Sequence, residues 1–253
     1  MKRYTLLLIG LLAWMGTTFA QDDANVWFEQ ANTAYNSGNY DTAVVVYEKI
    51  LNAGMESVPV YYNMGNAYYK LREYPMAIYC YEKALKIDPS DEDVQANLAI
   101  ANAAIVDKIE PMPQSVFVRW WRSLRSVMSG NQWAWCSIAV FALLLTMLFL
   151  FLRARKVGLR KLGFFMGLVF FIAFALSVVF ALQQKHIANT QDQAIVMAPT
   201  VTVKSSPSIN SVDLFVLHEG AKVDVMDTQG GWAQIRIANG SVGWLEASEM
   251  RIF

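Results

Sequence analysis

Cysteine is scarce in this 253-residue chain: there are two, Cys80 and Cys136. They lie in segments of different character, Cys136 inside an uncharged apolar run. A disulfide between them is therefore not expected, and each folded part must rest on its own core. Cys80 reads as a small buried hydrophobe rather than a reactive thiol. Histidine is equally scarce, and neither His186 nor His218 has a Cys, His or acidic cluster at ligand spacing. No metal site is expected. Also missing are a Gly-rich phosphate loop, a Gly-x-Ser-x-Gly elbow and a Cys/His pair able to meet. The acidic run 88–93 reads as a helix start rather than a carboxylate pair. Together these absences exclude the common routes to catalysis. No catalytic residue, no metal and no cofactor is expected, and the chain reads as a non-enzyme.

One stretch lacks acidic residues altogether. Residues 111–186 hold nine Lys/Arg and no Asp or Glu, whereas residues 21–110 hold fourteen acids against six bases. The tail from residue 187 holds seven acids against four bases. The formal net charge of zero thus conceals a segregation. The basic middle suits anionic lipid, and the acidic flanks suit soluble modules. Nucleic-acid binding would need a basic module, and none lies outside the middle, so no nucleic-acid partner is expected.

That middle contains two runs without any charge, 133–152 (WAWCSIAVFALLLTMLFLFL) and 163–182 (GFFMGLVFFIAFALSVVFAL). Each matches the roughly 20 apolar residues that a helix needs to cross a hydrocarbon core. The connection 153–161 carries Arg153, Arg155, Lys156, Arg160 and Lys161, and short basic loops stay cytoplasmic. The expectation is a two-helix transmembrane hairpin with a cytoplasmic turn, leaving both flanks outside the cytoplasm. The spans carry only Ser, Thr and Cys136 as polar groups, so they read as an anchor and not a conduit. Residues 1–20 read as a secretory signal: Lys2 and Arg3 precede an apolar run, and Thr18-Phe-Ala20 precedes a cut at Gln21. An uncleaved anchor is the alternative. Residues 114–131 interleave Arg119, Arg122 and Arg125 with Phe117, Trp120, Trp121 and Leu124. This suits an interfacial amphipathic segment, the alternative being a motif for a soluble partner.

Residues 24–107 repeat with a period of 34. Tyr40, Ala43, Tyr47, Glu48 and Lys49 recur as Tyr74, Ala77, Tyr81, Glu82 and Lys83. Such a period belongs to stacked helix–turn–helix units. Gly65 and Ala77 are small where two helices cross, Tyr68 and Tyr81 fill the space beside them, and Pro89 stops the second helix. Residues 91–107 read as a capping helix for the open end. Two units and a cap make a short array, since about three units are usually needed for stability, so it should lean on a partner, a second copy or the membrane.

After a polar stalk, 183–193, the tail 194–253 changes to period two. Its alternating runs are separated by turn signals, with Asn239-Gly240 marking a tight hairpin. The tail reads as a small barrel, with Trp232 anchoring its core and Trp244 on its surface.

These motifs carry family resemblances. Tyr61, Met64-Gly65, Tyr68, Ala77, Tyr81, Ala84 and Pro89 resemble the tetratricopeptide-repeat family. Val201-Thr-Val203, Leu217-His-Glu-Gly220, Trp232-Ala-Gln-Ile235 and Gly240-Ser-Val-Gly243-Trp244 resemble the bacterial SH3 domain. The expected fold class is therefore a multidomain membrane protein: an all-α tetratricopeptide-repeat helical array, a two-helix transmembrane hairpin and an all-β SH3-like barrel. The first resemblance implies that ligand segments lie along the first helices of successive repeats. By register this peptide-binding groove would show Phe28, Asn32, Tyr35, Asn36, Tyr62, Asn66, Tyr69 and Lys70. The carboxylate clamp of some relatives would need more bases than Lys70. The second resemblance implies binding of cell-wall peptides or proteins, with Trp244 as the SH3-like surface residue.

The order of modules, with the stretches 106–111 and 205–220, is similar to the BatE-type members of the Bacteroides aerotolerance (Bat) operon proteins. That likeness implies an inner-membrane assembly with von Willebrand A-domain Bat proteins and, indirectly, a MoxR-type ATPase. Both soluble modules would be periplasmic, in a complex linked to stress tolerance. Two functions stand open: a protein–protein interaction adaptor, and a cell-wall-binding receptor whose barrel grips peptidoglycan.

Overall fold

The computed structural model describes residues 23–253; the expected signal, 1–20, lies outside the described residues. The chain forms two compact units. One comprises the residues up to Ala84, Glu92–Met112 and Asp192–Phe253; the other comprises Leu85–Asp91 and Pro113–Gln191.

The first unit begins with helix α1 (23–36), followed by α2 (Tyr40–Asn52), α3 (Val58–Lys70), α4 (Tyr74–Ile87) and α5 (Glu92–Ala104). Small residues set how closely the helices cross. Ala31, Ala43, Ala67, Ala77, Ala84 and Ala101 are all buried, interleaved with Tyr47, Tyr81, Met64 and Ile78. A Cβ added at Gly65 would lie 2.7 Å from Cε1 of Tyr81, so only hydrogen fits beneath that ring. The α1–α2 turn passes through Gly38 at φ +79°, and the equivalent α3–α4 turn passes through Arg72 at φ +66°. This is the left-handed region that L side chains disfavour.

The same unit holds seven strands: β1 (Gln193–Val196), β2 (Thr200–Lys204), β3 (Asp213–His218), β4 (Lys222–Gln229), β5 (Trp232–Arg236), β6 (Val242–Glu246) and β7 (Met250–Ile252). All pair antiparallel in the order β3-β2-β6-β5-β4-β1-β7, with bulges in β2 and β4. Every strand contributes to one core. It includes Val196, Val203, Leu217, Val223, Ile235, Leu245 and Met250, so the sheet curls round a single interior. The β5–β6 hairpin turns at Asn239-Gly240, where the Ile237 amide donates to Ser241 O at 3.0 Å.

The second unit contains α6 (Val116–Arg125), α7 (Gly130–Arg153) and α8 (Val157–Asn189). Ser129 caps α7, its hydroxyl accepting from the Gln132 amide while the Gln132 side chain accepts from the Ser129 amide. Two boundaries differ from expectation. The expected turn 153–161 shrinks to three non-helical residues, 154–156, because α8 begins at Val157. The expected stalk is helical as far as Asn189: no Pro or Gly interrupts it, and Gln, Lys and Ala sustain a helix already nucleated. Its seven helical residues advance about 10 Å, where seven extended residues would span about 24 Å.

Candidate peptide groove and interdomain joint

Two asparagines of the expected groove sit at the centre of matching hydrogen-bond ladders. Asn32 Oδ1 accepts from the Tyr47 hydroxyl at 2.6 Å and from Asn63 Nδ2 at 3.0 Å. One repeat later, Asn66 Oδ1 accepts from the Tyr81 hydroxyl at 2.7 Å and from Asn97 Nδ2 at 2.8 Å. All three positions advance by 34 residues, so the ladder is a property of the repeat. It ties each first helix to its partner and to the next first helix. Burial pushes the Tyr47 phenol up to about 12 and raises that of Tyr81 as well, so both remain donors. The carbonyl oxygens of Asn32 and Asn66 are thus used internally. Each Nδ2 has no partner among the described residues and remains free to donate.

An open cavity of about 330 Å³ crosses α1, α3 and α5 beside the second ladder. Tyr35, Tyr62, Asn66, Tyr69 and Lys70 line it, as do Tyr81, Asn97 and Ile100. Five of the eight expected groove residues therefore meet in one place. Phe28 lines a different cavity, with Ile50, Met55 and Val60. Asn32 braces the first ladder, and Asn36 is exposed with no recorded contact among the described residues. The groove centres on the second repeat and the capping helix, not on both repeats equally. Asn97 went unnoticed in the sequence, although it lies 34 residues after Asn63 and 31 after Asn66. The wall contains no carboxylate; Lys70, exposed at the end of α3, supplies its only formal charge.

The strand domain packs against the helical array. Asp107 Oδ2 accepts from the His218 amide at 2.7 Å, and its Oδ1 lies 2.8 Å from Nδ1 of the same residue. Lys222 Nζ donates to Glu82 Oε2 at 2.7 Å. The Arg251 guanidinium stands 4.6 Å above the Tyr79 ring, which also meets the buried Phe253 ring edge-on at 5.9 Å. Ile109 packs on the strand-domain core, and the Met112 amide donates to Ala238 O at 3.0 Å. The expected supports are a partner, a second copy or the membrane; among the described residues the array packs on the chain's own strand domain. Cys80 lies fully buried nearby in α4, its thiol pushed up by burial, as a hydrophobe would lie.

The two tryptophans share one outer face of the sheet. Ala233 and Ile235 point into the core, so Trp232, Gln234 and Arg236 alternate outward; on β6, Leu245 points in and Trp244 out. The expectation that Trp232 anchors the core is overturned, because its parity in the strand is that of Gln234 and Arg236. Trp244 is half-buried opposite Gln234, diagonal to Trp232. Among the described residues, no group of three or more His, Cys, Asp or Glu is placed to hold a metal ion.

Comparison with known families agrees with this architecture. Residues 24–53 and 58–91 each match a tetratricopeptide-repeat model, and residues 199–250 match the bacterial SH3 domain. Comparison with curated proteins returns no match.

Proposed function

We propose that the protein is a membrane-anchored, non-enzymatic protein–protein interaction adaptor of a Bat-type envelope complex linked to stress and aerotolerance. The observation that carries the reading is the groove across α1, α3 and α5. There Tyr35, Tyr62 and Tyr69 line the same cavity as Asn66. An extended peptide would pack side chains on the tyrosines and accept from Asn66 Nδ2 through a backbone carbonyl. Tetratricopeptide repeats and bacterial SH3 domains are interaction modules, which supports binding over chemistry.

Anchoring rests on α7 and α8, both long and apolar enough to cross a membrane. Their most hydrophobic windows are 0% and 11% buried. Apolar surface of that extent, uncovered by protein, calls for a hydrocarbon surrounding. The five bases between Arg153 and Lys161 favour a cytoplasmic turn in the inner membrane, with repeats and SH3 domain periplasmic. The partners on this reading are von Willebrand A-domain Bat proteins, with a MoxR-type ATPase reached indirectly. Topology is tested by thiol labelling in a background lacking Cys80 and Cys136. Cysteine at Val157 should resist an impermeant reagent in intact cells, while cysteine at Val212 should react once the outer membrane is permeabilised. The reverse pattern overturns the orientation.

A cell-wall-binding receptor is the second reading, favoured by the outward placement of Trp232 and Trp244 on the SH3 sheet. Sedimentation of the protein with purified peptidoglycan, lost on Trp244→Ala, would support it. Capture of envelope proteins that is lost on Tyr69→Ala supports the adaptor.

A further inference from the structure

Helix α6 is fixed to the end of the apolar hairpin by three contacts. Trp121 Nε1 donates to Gln183 Oε1 at 3.1 Å, and Gln183 is the first polar residue after the uncharged run in α8. The rings of Trp121 and Trp133 close over the buried Phe180 at 4.8 and 4.9 Å. Trp133 Nε1 donates to Arg125 O at 3.0 Å, holding the last turn of α6 against α7. On the reading that α7 and α8 span a bilayer, these contacts place α6 at headgroup depth.

The rest of α6 is incompletely satisfied by the protein. Val116, Phe117 and Trp120 are 68%, 83% and 61% exposed along one face of α6. The opposite face carries Arg119, Arg122 and Arg125, and no acid occurs anywhere in residues 111–186 to answer them. Arg125 is the particular case. Its Nε is buried without a hydrogen-bond partner among the described residues, an expensive condition for a cationic donor. Arg122 lies one turn away on the same face, so the two guanidiniums reinforce each other's positive field. Burial and the Arg122 charge both weaken the hold of Arg125 on its proton. An anion that accepts from the outer nitrogens of both guanidiniums would offset their mutual repulsion, and a phosphodiester offers the matching oxygens.

We propose that Arg122 and Arg125 form a binding site for the headgroup phosphate of an anionic phospholipid, whose acyl chains run down the exposed apolar flank of the hairpin. The occupant is a lipid and not free phosphate because α6 is tied to the end of the apolar hairpin and its face opposite the arginines is itself apolar and exposed, as suits a helix with its arginines at headgroup level. Charge complementarity selects an anionic lipid over a zwitterionic one.

The full-length chain, reconstituted into nanodiscs of equal phosphatidylglycerol and phosphatidylcholine and re-extracted in mild detergent, provides the test. Native mass spectrometry then reads the retained phospholipid. The wild type should keep phosphatidylglycerol in preference to phosphatidylcholine. In R122Q/R125Q that preference should fall roughly thirtyfold. R153Q/R155Q, at the other end of the hairpin, should retain it. Wild-type retention without headgroup preference overturns the site, as does an unaltered preference in R122Q/R125Q. A chain that fails to enter nanodiscs at all overturns the two-span reading as well, which separates the two failures.

Discussion

Replacing Asn66 by alanine should loosen the second repeat, although Asn66 faces the groove. Its Oδ1 is the acceptor for the Tyr81 hydroxyl, and Tyr81 is 1% exposed. Removing the acceptor strands that buried donor, at about 1–3 kcal/mol. Asn97 loses its 2.8 Å bond but keeps the Tyr62 hydroxyl at 3.1 Å, so its share is smaller. A total of about 2 kcal/mol corresponds to a roughly thirtyfold rise in local opening. Tyr81→Phe in the same background should restore much of the loss, because removing both partners of a buried bond is nearly neutral. Asn66→Asp, which keeps an acceptor oxygen, should cost less than alanine. Hydrogen exchange of the α3 and α4 amides, read by mass spectrometry on the full chain in detergent, measures all three. Wild-type exchange in Asn66→Ala would refute the ladder. So would Tyr81→Phe costing as much with alanine at 66 as with asparagine there.

Three further outcomes follow from single positions. Arg72→Gly should slow exchange in the second repeat by about 1 kcal/mol, since glycine removes the left-handed penalty that Gly38 already avoids in the first. In Gly163→Leu the added Cβ would lie 2.8 Å from Phe151 N and 3.0 Å from Met147 O, backbone atoms that cannot retreat. The hairpin should splay and the detergent-solubilised protein melt lower by about 2–4 °C per kcal/mol lost, while Gly158→Leu, which meets nothing, leaves the midpoint unchanged. Phe253→Ala should empty the space beside Tyr79 at about 3 kcal/mol, read as faster proteolysis of residues 105–112.

The parts of the molecule built by local repetition were legible from the residues alone. The 34-residue offset that aligns Tyr47 with Tyr81 also carries the Asn32 and Asn66 ladders and the turn shared by Gly38 and Arg72. Absence of charge marked α7 and α8 for the same reason, since one solvent acts on every residue of a run. The joint left no such trace. Asp107 and His218 stand 111 positions apart, Glu82 and Lys222 stand 140 apart, and each of these residues reads as ordinary surface charge. Strand β3, with its Leu-Phe-Val-Leu run, lacks the alternation that marks a half-buried strand, and β1 and β7 are too short to show a period. For Trp232 the expectation of a core anchor differs from the structure, although its alternation with Gln234 and Arg236 already assigns it to the outer face. The groove was legible by family register only in part, because its far wall is Asn97 and Ile100 of the capping helix.

The proposed adaptor function requires a partner polypeptide in the groove across α1, α3 and α5. A photo-crosslinking amino acid placed at Tyr69 in the full chain, in native membranes, tests it most directly against the same group at Val45, exposed on α2 outside the groove. A discrete adduct to an envelope protein is expected from position 69, weakened by Tyr62→Ala, and none from position 45. Equal adducts from both positions, or an adduct from position 45 alone, would contradict it.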